Sequence, residues 1–146
     1  MLTIRPEQLA AFSLNADRLL VADFAPYVRK EYSDREVHLA TGTFQIGELP
    51  IELIKSMALV GLARARRWGL TWESNLFGYL ALMFCFAPNF DEHHKVREIL
   101  GGPKFAPAPN LRLDYLENYL TDDDWSDISG AYDASAWNGP ASEAQR

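Results

Sequence analysis

A chain of 146 residues, 48% hydrophobic and 23% charged, has room for one folded core without cross-links, and its 12% aromatic content excludes a wholly disordered polypeptide. Its single cysteine, Cys85, excludes an intrachain disulfide framework and a multi-cysteine zinc site. The net charge of −6 sits in the C-terminal quarter, because residues 1–110 hold twelve Lys/Arg against twelve Asp/Glu and residues 111–146 hold two against eight. A neutral body with an acidic tail offers no basic surface for a phosphate backbone, so nucleic acid is not an expected partner.

The opening MLTIRPEQLAAF lacks a basic segment followed by an apolar core, and no stretch reaches the roughly 18 apolar residues of a membrane span. A soluble, cytoplasmic protein is the expectation. No repeat is visible, which speaks against a solenoid.

A first helix is expected to begin near Pro6, preceded by Thr3 or Ile4, since proline in a first turn forfeits no hydrogen bond and Glu7 suits the positive end. Leu9, Phe12, Leu19 or Leu20, Phe24, and Tyr27 or Val28 form its apolar stripe. Pro26 makes it either one kinked helix or two meeting near Ala25. Residues 33–49 mix β-branched and polar residues with glycine and read as a connection, with a short extended piece around Val37 to Phe44.

A second helix is predicted over 50–68, with Ile54, Met57 or Ala58, Gly61, Leu62 and Ala65 inward and Gly69 as its stop. Gly61 costs about 1 kcal/mol of helix propensity, which a close helix approach would offset. Arg64, Arg66 and Arg67 lie where the carbonyl end favours cations. Thr71 is expected to cap a third helix over 72–87, whose later part, LFGYLALMFCFA, is uncharged and must be covered nearly all round, by the rest of the domain or by a partner chain. A short helix over 92–100 follows, then a Gly/Pro-rich connection, then a helix over 111–120 capped by Asn110. Residues 121–146 are expected to form an acidic, flexible tail.

Chemistry is sparse. Asp91, Glu92, His93 and His94 are the only metal-like cluster, with Glu98 one turn after His94; a polar helix start is the plainer reading, and no metal or cofactor is expected. Cys85 lies between Phe84 and Phe86, where a thiol stays protonated. Phosphate-loop, dinucleotide, nucleophile-elbow and H-E-x-x-H patterns are all missing, so no catalytic residue is assigned.

Two features suit binding instead. Asp122, Asp123, Asp124, Trp125, Asp127 and Ile128 place apolar residues inside a charged run, which fits a docking segment as well as a solvated linker. Trp68 and Trp72 flank the Gly69 turn, as lids on the core or as anchors for a partner.

The run LTIRPEQLAAF, the helix end FAPYVRKEY, the long stretch LARARRWGLTWESNLFGYLALMFCFAPNFDE and the following REIL resemble a group of small helical accessory proteins encoded in type VI secretion and related contractile-injection gene clusters. In that group a TIR-x-EQ opening, an ARRYGI-T-E turn and an LMF-x-x-G-P-x-FD segment occur in this order. The resemblance spans residues 2–120, is carried chiefly by residues 65–71 and 88–91, and departs from the group at His38 to Gly47 and in the acidic tail. It implies a cytosolic, non-enzymatic accessory protein that associates with a secreted effector or with the spike that carries it.

The expectation is therefore an all-α single domain, a bundle of four to five helices over 1–120 around a central hydrophobic helix, with a flexible acidic tail over 121–146. It would be an effector adaptor or chaperone, with self-association left open. The alternative is an immunity protein that inhibits a cognate toxin by direct binding.

Overall fold

The computed structural model describes residues 6–138, with side chains from Asn15 onward. The expected lead-in at Thr3 or Ile4, the Leu9 and Phe12 part of the first stripe, and residues 139–146 of the expected tail lie outside the described residues or side chains. The fold is mostly helical. Helix α1 (Pro6–Glu31) is followed by a hairpin of β1 (Glu36–Leu39) and β2 (Gly42–Gln45), then by α2 (Ile51–Arg67), α3 (Glu73–Cys85), α4 (His94–Leu100), α5 (Tyr115–Tyr119) and α6 (Asp122–Gly130).

Of the two geometries open at Pro26, the chain adopts one uninterrupted helix. Its inward side carries Leu20, Val21, Phe24, Ala25 and Val28, all buried. The extended piece around Val37 to Phe44 is an antiparallel pair in which Val37 faces Phe44. Gly42, with φ of 143°, makes the tight reversal that an L side chain would resist.

Helix α2 buries the stripe its spacing predicted, namely Ile54, Met57, Ala58, Gly61, Leu62 and Ala65. Gly61 is the close-approach point: a Cβ there would lie 2.5 Å from Leu80 Cδ2 and 2.7 Å from Met83 Sδ, so α2 and α3 touch through the missing side chain. Gly69, with φ of 88°, ends the helix. The Gly69 amide reaches the Arg66 carbonyl at 2.9 Å and the Leu70 amide reaches Ala65 at 3.4 Å, the paired bonds of a glycine-terminated helix.

Helix α3 is buried along one side by the chain itself, while Phe77, Ala81, Leu82 and Cys85 on its other side are half-buried. Leu76, Tyr79, Leu80, Met83 and Phe84 are buried, and Phe24 of α1 meets Phe77 and Phe84 at ring distances of 5.0 and 5.5 Å. The capping expectations need correction here. Asn110 does not start the next helix; its Oδ1 accepts from the Thr71 and Trp72 amides at 2.8 and 3.0 Å, and its Nδ2 donates to Thr71 Oγ1. Trp72, not Thr71, stands at the cap position of α3, and a side chain from a distant loop holds the two amides that lead into the helix. The expected helix over 111–120 is a 3-10 turn followed by the five residues of α5.

The expectation of a flexible tail is corrected over residues 121–138. Thr121 and Asp124 form a reciprocal capping box that opens α6. Ile128 and Trp137 are buried, Trp125 stacks on Phe86 at 4.3 Å, and Trp137 meets Phe84 at 4.8 Å. The Asn89 side chain clasps the same segment, donating to the Ala131 carbonyl and accepting from the Asp133 amide. Apolar side chains spaced along the acidic run cap the far end of α3, and their burial outweighs the ordering cost that composition suggested.

Candidate functional site

The arginines at the end of α2 have separate fates. Arg66 turns to Asp17 and ties α2 to α1, while Arg67 is exposed with no ion pair among the described residues. Arg64 turns inward to Asp91, which the 3-10 turn after α3 delivers to the interior at 4% exposure. The second oxygen of Asp91 accepts from the Trp68 indole N–H at 2.9 Å and from the Tyr79 hydroxyl at 2.6 Å. One carboxylate therefore joins α2, its terminal tryptophan and α3.

Burial, followed by the negative charge of Asp91, pushes the Tyr79 phenol well up, so it remains a proton donor. Burial opposes the charge on Arg64, but the hydrogen bond and charge of Asp91 outweigh it and the guanidinium is held more firmly protonated. Arg64 also donates to Glu92 at 3.3 Å, while its Nε is enclosed without an acceptor. These groups open onto a cleft of about 330 Å³ lined by Arg64, Arg67, Trp68, Asp91, Glu92 and Arg97.

A second concavity, of about 260 Å³, lies between α1 and the start of α3. Leu19, Leu20 and Leu76 line it, with Asp23 and Glu73 among its polar residues. Leu19 is 64% exposed, and Trp72, between the lining residues Thr71 and Glu73, is 54% exposed.

The residues singled out from sequence divide accordingly. Trp72 stands out to solvent, whereas Trp68 is half-buried and its N–H is used by Asp91. The 122–128 segment is not one docking strip. Asp122, Asp123 and Asp127 face water, but Asp124 and Ile128 are buried and Trp125 is half-buried on Phe86, because α6 turns these side chains toward the chain's own core.

The metal-like run is also dispersed. Asp91 points to Arg64, Glu98 pairs with Lys104, and His93 stacks on His94 at 4.5 Å. His93 lies instead near Asp124 and Asp127, with candidate ligand atoms all within 4.8 Å of one another. Two of the three already have partners within the chain. His93 Nδ1 accepts the Lys95 amide at 3.2 Å, which leaves the proton of the neutral ring on Nε2, and Lys95 Nζ lies 2.7 Å from Asp124 Oδ2. Burial, with the charge of His94, pushes the His93 ring down. The Lys95 hydrogen bond, followed by the Thr121 amide, holds the Asp124 carboxyl down to about 2.

Sequence reasoning missed Asp91, Tyr79 and Arg64 as a unit, since they lie on three separate elements. It also missed α6, for which a signal existed: Thr121-x-x-Asp124 is a capping-box spacing, followed by apolar residues at Trp125 and Ile128. Among the described residues, no helix is long and apolar enough to cross a membrane. In comparisons with known proteins, no family model matches the chain, nor does any curated protein or solved structure.

Proposed function

We propose that this chain is a non-enzymatic binding protein, an adaptor or chaperone for an effector of a type VI-like secretion system, which shields a segment of its partner in the cytoplasm until loading. The observation that carries this reading is the groove between α1 and α3, where Leu19 is exposed beside Leu20 and Leu76, and Trp72 is exposed next to the lining residues Thr71 and Glu73. Large apolar side chains held at a concave site are the usual anchors of protein recognition. Asp23 and Glu73 border the groove without an ion pair to any described residue, so the matching partner segment is apolar with flanking cations. The scaffold is a bundle organised around α3, and Asn110 holds the Trp72 backbone amide just before that helix begins.

The alternative, an immunity protein whose acidic 122–128 segment binds the toxin, draws less support, because Asp124 and Ile128 are committed to the interior. Co-expression with effectors encoded beside this gene tests the choice. A shielding partner keeps the effector soluble, loses that effect in the Leu19→Ser/Trp72→Ala double variant, and leaves toxin activity intact in the purified pair. Stoichiometric inhibition of the toxin would identify an immunity protein. Unaltered effector solubility and complex formation in the double variant would remove the groove from the mechanism.

A further inference from the structure

The cleft at the end of α2 lies apart from the docking groove, and its charges do not cancel. Asp91 is spent: one oxygen takes Arg64, and the other takes Trp68 Nε1 and the Tyr79 hydroxyl. Glu92 stands at the rim, its side chain 60% exposed, and shares Arg64. Arg67 and Arg97 also line the cleft, and neither side chain forms an ion pair or hydrogen bond with any described residue. The walls therefore hold three guanidinium groups against two carboxylates in a chain whose overall charge is −6. Arg64, held in place by Asp91, adds a fixed positive charge to the wall. Trp68 supplies a fixed apolar wall, its indole pinned by Asp91 and close enough to α4 that a Cβ at Gly101 would lie 3.3 Å from the ring.

Guanidinium groups from two elements and an indole lining one cleft of about 330 Å³ match the requirements of a small anionic ligand. We propose that this cleft binds a compact oxyanion group, a phosphate or a carboxylate, gripped by Arg67 and Arg97 across Trp68. Arg67 belongs to α2 and Arg97 to α4, so a bound oxyanion would bridge two helices that meet here where the Trp68 ring lies against the end of α4. The inference does not depend on the effector reading, since none of its residues lines the docking groove.

The test is a heteronuclear NMR titration of the full chain with inorganic phosphate and, separately, with succinate, each at ionic strength held constant with sodium chloride. The Trp68 indole N–H, assigned by its loss in Trp68→Phe, should shift saturably with a midpoint in the millimolar range. The Arg67→Gln/Arg97→Gln variant should weaken that midpoint at least tenfold while leaving the remaining spectrum folded, as both side chains are exposed. Tighter binding of phosphate than of succinate marks a phosphoryl ligand, and the reverse order marks a carboxylate. Shifts that stay linear and match those in chloride alone, or saturation that persists unchanged in the double variant, would overturn the proposal.

Discussion

Two aspartates are almost equally buried, Asp91 at 4% and Asp124 at 7% exposure, yet they hold the molecule in different ways. Asp91 takes its donors from α2, the Trp68 that caps it, and α3, so three pieces of the body depend on one carboxylate. Asp124 takes two of its bonds from Thr121 at the start of its own helix and one from Lys95, whose side chain is 28% exposed. The contrast shows that burial alone does not say what a charge secures. The origin of its donors does.

The largest effect is expected at Asp91. Asp91→Ala leaves the Arg64 guanidinium enclosed without its counter-ion and should cost about 3–5 kcal/mol by chemical denaturation. Adding Arg64→Met to that variant should recover much of the loss, because a well-packed apolar replacement removes the stranded charge. No recovery would mean that the pair acts through packing alone.

Tyr79→Phe comes next. It removes one hydrogen bond to a charged acceptor and should cost about 1.5–3 kcal/mol. A thermal melt indistinguishable from the parent would contradict the central role given to this carboxylate.

At the other aspartate, the effect is smaller and local. Thr121→Ala should cost about 1 kcal/mol through the lost helix cap, seen first as faster amide exchange in α6 rather than in α2. Uniform loosening of both helices would erase the distinction between the two regions.

Acid should separate them further. The Asp124 carboxyl is lowered from 3.8 to about 2 in the folded chain, so its contribution is complete above pH 3.8 and is lost as pH falls toward 2. The Trp125 environment, followed by near-ultraviolet dichroism, should change across that window, and Asp124→Asn should remove this step. A step unchanged in Asp124→Asn would assign it to another group.

The smallest stability change is expected at Trp72. Trp72→Ala should shift stability by no more than about 0.5 kcal/mol, since the side chain is mostly in water, while weakening the partner complex. A large loss of stability would return Trp72 to the role of a core lid.

The contrast also separates what the amino-acid order discloses from what it hides. Periodicity in α1, α2 and α3, the left-handed glycine at Gly69 and the close approach at Gly61 were legible, because each depends on neighbours a few residues away. The Asp91 cluster was hidden, because Arg64 and Asp91 are 27 residues apart and only the packing of α2 on α3 brings them together. The segment after residue 120 was misjudged for a different reason. Its small and acidic residues resemble disorder on average, while Thr121, Trp125, Ile128 and Trp137 individually find a cap, a stacked ring and the core. The groove at Leu19 and Trp72 was half legible: Trp72 stood out, but nothing local placed α1 beside it.

The most direct measurement is photo-crosslinking in the native host, with the same photoreactive residue placed at position 72 in one strain and at position 123 in another. Both positions are exposed. The account predicts an effector adduct from position 72 and little or none from position 123. An adduct from position 123 with none from position 72 would put the acidic segment, not the groove, in contact with the partner.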